Sequence, residues 1–262
     1  MSADAYVVTT FGLAGLLFGS FATLASHRIP ARETIVRGRS RCPSCGAPIT
    51  MRENLPVVSY VLQRGRCRHC GAGISFRYPL IEVVTATLFA LTAAKFGWSL
   101  ETLVYAAFFW ALVVLSAIDL EHRLLPNRVV YPAFVAGWTG LAAAALAAGA
   151  PGRLLDAALG AAIFGGFFLV VGVAFPAGMG GGDVKLSFVL GTFLGYLGAP
   201  GLVLVGMFLS FSMGALTGVA LVATRRAGRK SMVPFGPFLA LGTTVTIFVG
   251  QGLLDAYLGN LG

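Results

Sequence analysis

Charge is what this chain has least of. Of 262 residues, 11% are charged and only ten are acidic, against 57% hydrophobic. A mean hydropathy of +0.84 excludes an ordinary soluble domain. Cysteine is also scarce, and all four fall within one short stretch. No glycine fingerprint precedes a strand–helix unit, so the sequence shows no nucleotide-binding fold of that type. The first apolar run has no basic segment before it, has Asp4 ahead of it, and is as long as a full membrane span. It is therefore expected to be a retained helix and not a cleavable signal.

What the chain has instead is glycine (35), phenylalanine (20) and long apolar runs. Small residues let helices pack closely in a bilayer, so the composition fits an all-α polytopic membrane protein. Eight runs are long enough to cross, roughly Tyr6–Ser26, Pro79–Phe96, Leu100–Ile118, Val129–Ala148, Leu154–Phe175, Val184–Leu197, Leu202–Ala223 and Phe235–Tyr257. With the N-terminus outside, the inside segments 27–78, 119–128, 176–187 and 224–234 hold 10, 2, 1 and 4 Lys or Arg, which is 17 of 19. Positive charge gathers on the cytoplasmic side, so both termini are expected outside. Three segments follow: 1–27 as the first transmembrane helix, 28–78 as a cytoplasmic zinc-binding domain with four cysteines, and 79–262 as a seven-helix membrane domain.

The insert contains a repeat. Arg41-Cys42-Pro43-Ser44-Cys45-Gly46-Ala47 returns as Arg66-Cys67-Arg68-His69-Cys70-Gly71-Ala72. The pattern C-x2-C-x21-C-x2-C is of the zinc-ribbon type, and the glycine after each pair tolerates a left-handed turn. Cys42, Cys45, Cys67 and Cys70 are the expected ligands of a structural Zn2+, with two disulfides or redox pairs as the other readings. His69, inside one knuckle, is expected beside the site and not as a ligand. Ten arginines between Arg28 and Arg77 make the insert strongly basic. Contact with anionic lipid headgroups is the expected reason, since no basic helix or aromatic platform for nucleic acid is present.

Among so few acids, two occupy matching places. Asp119 ends an outside-to-inside run, and Asp183 opens the inside-to-outside run after the glycine-rich segment Gly178-Met179-Gly180-Gly181-Gly182. Packed side by side, two such helices bring the carboxylates together, one to draw a proton from water and the other to donate one to a carbonyl. Asp183 would gain from a helix N-terminus, whereas Asp119 would sit at an unfavourable C-terminus. The alternative is that Asp119 pairs with His122 or Arg123 and Asp183 only caps its helix. Gly180 and Gly182 are expected to keep side chains away from the second acid, and Lys185 to support the same loop or snorkel toward headgroups. The run from Val184 is short, which is consistent with a loop dipping below the surface or with a helix continuing toward Pro200.

Gly178-Met179-Gly180-Gly181-Gly182-Asp183-Val184-Lys185-Leu186 resembles the GxGD motif of type IV prepilin leader peptidases, and Ile118-Asp119 with Leu124-Leu125-Pro126 resembles the stretch holding their first aspartate. The likeness extends in order through Gly19-Ser20-Phe21, both Cys pairs, Glu53-Asn54-Leu55-Pro56-Val57-Val58-Ser59-Tyr60, Arg77-Tyr78-Pro79-Leu80-Ile81-Glu82 and Pro234-Phe235-Gly236-Pro237-Phe238-Leu239-Ala240. The resemblance implies a bacterial inner-membrane aspartic protease with Asp119 and Asp183 catalytic. Such enzymes cleave the basic leader of prepilins or type II secretion pseudopilins after a glycine, at the cytoplasmic face. It also implies, for many members, methylation of the new N-terminal amine by S-adenosyl-L-methionine. The chain departs from the family at Ala22-Thr23-Leu24, Met51-Arg52 and Asn127. A cleavage-only peptidase is the alternative, and a proton-coupled transporter would require inverted repeats that are not seen. No acidic patch for a basic leader stands out; Glu33, Glu53, Glu82 and Glu121 are the few candidates.

Overall fold

A computed structural model describes residues 3–35, 40–176, 179–224 and 234–259. Gly178, Arg37, Arg39, Arg225, Arg226, Arg229 and Lys230, which entered the motif and charge arguments, lie outside the described residues. The described residues are helical throughout, with isolated β-bridges only in the insert. The chain divides into two compact units, Met1–Ala117 and Ile118–Gly262.

The first unit holds α1 (Ala3–Arg28), a short 3-10 turn at Met51–Asn54, α2 (Val58–Leu62), α3 (Arg77–Phe96) and most of α4 (Leu100–His122). Helices α1 and α3 pack closely because α1 offers glycines where the backbones meet. A Cβ at Gly15 would lie 2.6 Å from the Ala86 Cα, and one at Gly19 2.6 Å from the Glu82 Cα. Aromatic contacts attach α4 to these two: Phe96 stacks on buried Tyr105, and Trp110 stacks on Phe21 while donating its indole N–H to the Phe18 carbonyl.

The second unit holds α5 (Asn127–Ala147), α6 (Arg153–Ala174), α7 (Gly181–Gly198), α8 (Gly201–Ala223) and α9 (Gly236–Gly259), with the last turn of α4. Helix α7 is its axis, packed against α5, α6, α8 and α9. From Leu186 to Tyr196 nearly every α7 side chain is buried. Its closest neighbour is α6. Gly160 and Gly191 face each other so tightly that a Cβ on either would enter the carbonyl of the other, and Gly195 meets the Asp156 carbonyl in the same way. Gly165 likewise admits the Phe188 ring. A Cβ at Gly166, by contrast, would meet open space.

Among the described residues, seven helices are long and apolar enough to cross a membrane, namely α1, α3, α4, α5, α6, α8 and α9. Helix α7 is the eighth expected run. Its 18 residues span about 27 Å, close to a hydrocarbon core of about 30 Å. Gly181, Gly182, Asp183 and Lys185 dilute its first turn, which enclosure by neighbouring helices makes tolerable. Two boundaries differ from the sequence reading. Helix α4 continues past Ile118 to His122, and α7 starts at Gly181, so both aspartates lie within helices and not between them.

The α6–α7 contact makes a prediction. Gly191→Leu should lower the thermal midpoint in detergent by roughly 5–10 °C, as expected when overpacking removes a few kcal/mol from a chain of this size. Gly166→Leu should leave the midpoint within a degree or two of wild type, about the effect of a change at a site without neighbours.

Candidate active site and metal centre

Asp119 sits in the last turn of α4 and is 5% exposed. The helix ends just beyond it: Arg123 takes a left-handed φ of 53° and its amide returns to the Asp119 carbonyl at 2.8 Å. Leu124 and Leu125 lie outside any helix and lead to Pro126, whose carbonyl accepts the Val129 amide at 2.9 Å to begin α5. Asp119 pairs with neither His122 nor Arg123 in this structure. His122 lies 3.6 Å from Glu121, while the Asp119 Oδ2 accepts the Gly236 amide at 3.0 Å. That amide opens α9.

Asp183 occupies the first turn of α7, which is capped by Gly180. The Asp183 amide donates to the Gly180 carbonyl at 3.0 Å, and the Gly180 amide donates back to the Asp183 carboxylate. Each carboxylate therefore receives a main-chain amide from a helix N-terminus, α9 for Asp119 and α7 for Asp183. The asymmetry expected from α4 and α7 alone is thus offset by α9. The two carboxylates also act on each other electrostatically, as close like charges do.

Leu125 supports this arrangement. Its side chain is buried beside two glycines: a Cβ at Gly182 would lie 2.9 Å from the Leu125 Cβ, and one at Gly236 3.3 Å from its Cδ2. A Cβ at Gly236 would also come within 2.7 Å of the Asp119 Oδ2. Gly236 must be glycine for α9 to present its amide at that distance, a role the sequence reading did not assign. The signal was available in Pro234-Phe235-Gly236-Pro237, where a glycine between prolines opens an apolar run. A Cβ at Gly180 would stand 3.2 Å from the Asp183 Oδ2, whereas Gly181 faces open space. Lys185 turns to α5, where its Nζ donates to the Asn127 Oδ1 at 3.1 Å and lies 5.5 Å from the Tyr131 ring centre.

In the first unit the two knuckles have matching backbone patterns. The Cys42 amide donates to the Ala47 carbonyl at 2.9 Å and the Gly46 amide to the Cys42 carbonyl at 2.8 Å. Cys67, Ala72 and Gly71 repeat the pattern at 2.8 and 2.9 Å. Gly46 and Gly71 adopt φ of 69° and 71°, as the left-handed turn requires. All four cysteines are free thiols, and their sulfurs lie within 4.8 Å of one another. Cys42 and Cys70 are 3.9 Å apart, close to the roughly 3.8 Å edge of a four-sulfur tetrahedron with Zn–S bonds of about 2.3 Å. The amides of Cys45 and Ser44 lower the Cys42 thiol to about 6, while, against the Ala72 amide, burial and the neighbouring sulfurs push Cys70 up to about 11, so the cluster resists carrying all four charges unaided. Four adjacent thiolates need a cation among them, and this donor set suits a metal ion. His69 stands apart from the set, 3.9 Å from Glu53. Glu53 is held below the usual carboxylate range by the amide and hydroxyl of Thr50.

The family model described as "Bacterial Peptidase A24 N-terminal domain" matches residues 13–96, and that described as "Type IV leader peptidase family" matches 106–219. A protein of Bacillus subtilis (strain 168) named Prepilin leader peptidase/N-methyltransferase is 36% identical over 245 residues, covering 93% of this chain and 95% of its own. One of the same name from Pseudomonas aeruginosa is 35% identical over 283 residues, covering 97% and 94%. A third, from Pseudomonas putida, is 34% identical over 288 residues, covering 98% and 96%. No solved structure matches the chain. A multi-pass helical chain that matches both domain models and these relatives over nearly its whole length belongs to the type IV leader peptidase family, and is a membrane peptidase.

Proposed function

We propose that this peptidase removes the basic leader of prepilins or pseudopilins after a glycine at the cytoplasmic face of the inner membrane, and that Asp119 and Asp183 are its catalytic pair. The observation that carries this reading is the pairing itself. Two carboxylates from α4 and α7, each receiving a helix N-terminal amide, are brought to one place in one unit, with Leu125 packed against both Gly182 beside Asp183 and Gly236 beside Asp119. On this reading the two acids share one proton, because neighbouring like charges resist ionising together. The ionised member takes a proton from water as the water oxygen attacks the scissile carbonyl. The protonated member donates its proton to the carbonyl oxygen, and the departing amine leaves with a proton when the tetrahedral intermediate collapses. Gly180, Gly182 and Lys185 hold the loop: the glycines admit Asp183 and Leu125, and Lys185 ties α7 to α5.

The relatives' second activity extends the reading. We infer that the chain also methylates the exposed N-terminal amine with S-adenosyl-L-methionine, and that residues 28–78 form a cytoplasmic domain folded around Zn2+ held by Cys42, Cys45, Cys67 and Cys70. Both termini would then be outside, with the 79–262 segment forming the proteolytic membrane domain.

Co-expression with a prepilin tests the pair. Asp119→Asn and Asp183→Asn should each reduce leader removal by at least about a hundredfold, the scale of a lost general acid or base. Full cleavage by both variants would refute the assignment. Gly182→Val should also abolish cleavage by displacing Leu125, while Gly181→Ala, which meets open space, should retain it. For the metal, purified protein should contain one equivalent of zinc. Cys42→Ser with Cys67→Ser should lose it, measured by plasma emission, while helical content by circular dichroism stays near wild type.

A further inference from the structure

The first unit contains a cavity of about 750 Å³ between the C-terminal end of α1, the knuckles and the start of α3. That lies within the roughly 300–1,000 Å³ typical of small-molecule sites. Buried in its wall is Glu82, 9% exposed. Its carboxylate accepts the Val57 amide at 2.7 Å and the Ser20 hydroxyl. Both donors are neutral, and among the described residues no cation lies within ion-pair distance of it. An ionised carboxylate in such a place calls for a positive partner.

Its surroundings are built to hold it there. Gly19 lets α1 come within contact of α3 at Glu82. Val57 supplies its amide from a γ-turn of the rare, strained hand, with φ 60° and ψ −48° and the Val58 amide closing on the Pro56 carbonyl. Strain of that kind in a β-branched residue persists where the neighbours fix it, and it collects at ligand clamps. Thus Gly19-Ser20-Phe21, the Glu53–Tyr60 stretch and the Arg77–Glu82 stretch all converge on one carboxylate that proteolysis does not use.

We propose that this cavity is the methyl-transfer site and that Glu82 is the anion that holds its cationic ligand. The proposal rests on the methyltransferase reading above. In the reaction, the neutral N-terminal amine forms a new N–C bond as the S–C bond of the donor breaks, with that electron pair going to sulfur. The sulfonium becomes a neutral thioether, and the nitrogen carries the positive charge until it yields a proton to water. One unit of positive charge is present before and after transfer, so a single fixed carboxylate matches both ends of the step. Arg41 and Arg68 also line the cavity, matching a ligand that carries a carboxylate as well as a cation. Tyr60 and Tyr78 give it aromatic faces.

Titration calorimetry on the full-length, zinc-loaded protein in lipid nanodiscs tests the assignment, with three probes: S-adenosylmethionine, S-adenosylhomocysteine and a short peptide with a free N-terminal phenylalanine. Glu82→Gln keeps the shape and the Val57 bond. It should weaken the sulfonium probe or the amine-bearing peptide at least tenfold, while the uncharged-sulfur analogue changes less than threefold. Whichever cationic probe falls identifies the group that Glu82 holds. Ser20→Ala should give the same pattern at smaller size, and zinc content equal to wild type shows that both variants are folded. Unchanged affinity of Glu82→Gln for both cationic probes overturns the assignment alone. No binding of S-adenosylmethionine to the wild-type protein overturns the methyltransferase reading with it, and leaves the peptidase reading standing.

Discussion

A carboxylate can stay among apolar helices only if something local answers its charge, and in this chain the answer is main-chain amide. Gly236 supplies it to Asp119 and Gly180 to Asp183, while Val57 gives Glu82 a neutral donor and, on the reading proposed above, leaves its charge for a ligand to match. None of these donors carries a charge that would need compensation of its own, and each is fixed by the backbone that bears it. Much of the remaining architecture serves that requirement. Helix α9 begins where its first amide reaches Asp119, α7 begins two residues before Asp183, and the Pro56–Val58 turn accepts strain to aim a single N–H.

The absence of side chains at chosen positions is the means of delivery. At Gly236 and Gly182, a Cβ would enter the space of Asp119 or Leu125; at Gly19, it would push α1 away from Glu82. Such glycines differ from those at Gly46 and Gly71, which are needed for a left-handed turn. The first group permits approach between elements, and the second permits a local path. Only the second kind is visible as a repeat in the sequence.

That distinction explains how much could be read beforehand. The eight apolar runs followed from composition, because hydropathy is a property of consecutive residues. The Cys knuckles were legible because each half is local and duplicated. Asp119 and Asp183 stood out through their scarcity in apolar surroundings. What stayed hidden was long-range: Gly236 reaches an acid 117 residues earlier, and Glu82 draws on Ser20 and Val57 from separate segments. The exact helix ends were also hidden, since Arg123 ends α4 by a backbone conformation that its identity does not announce. Lys185 looked like a residue reaching for headgroups, and only the placement of Asn127 reveals its partner.

The contact between Gly160 and Gly191 has a mechanical consequence. With no side chains between them, α6 and α7 share a hard backbone stop, and α7 can neither rotate about its axis nor slip along it without collision. The depth and heading of Asp183, two turns from that stop, are therefore gauged by α6 in the manner of a fixed index mark. On the catalytic assignment proposed above, a substrate segment entering beside the carboxylates has to adapt its own backbone to them, since the close backbone contact with α6 resists any shift of the helix that carries Asp183.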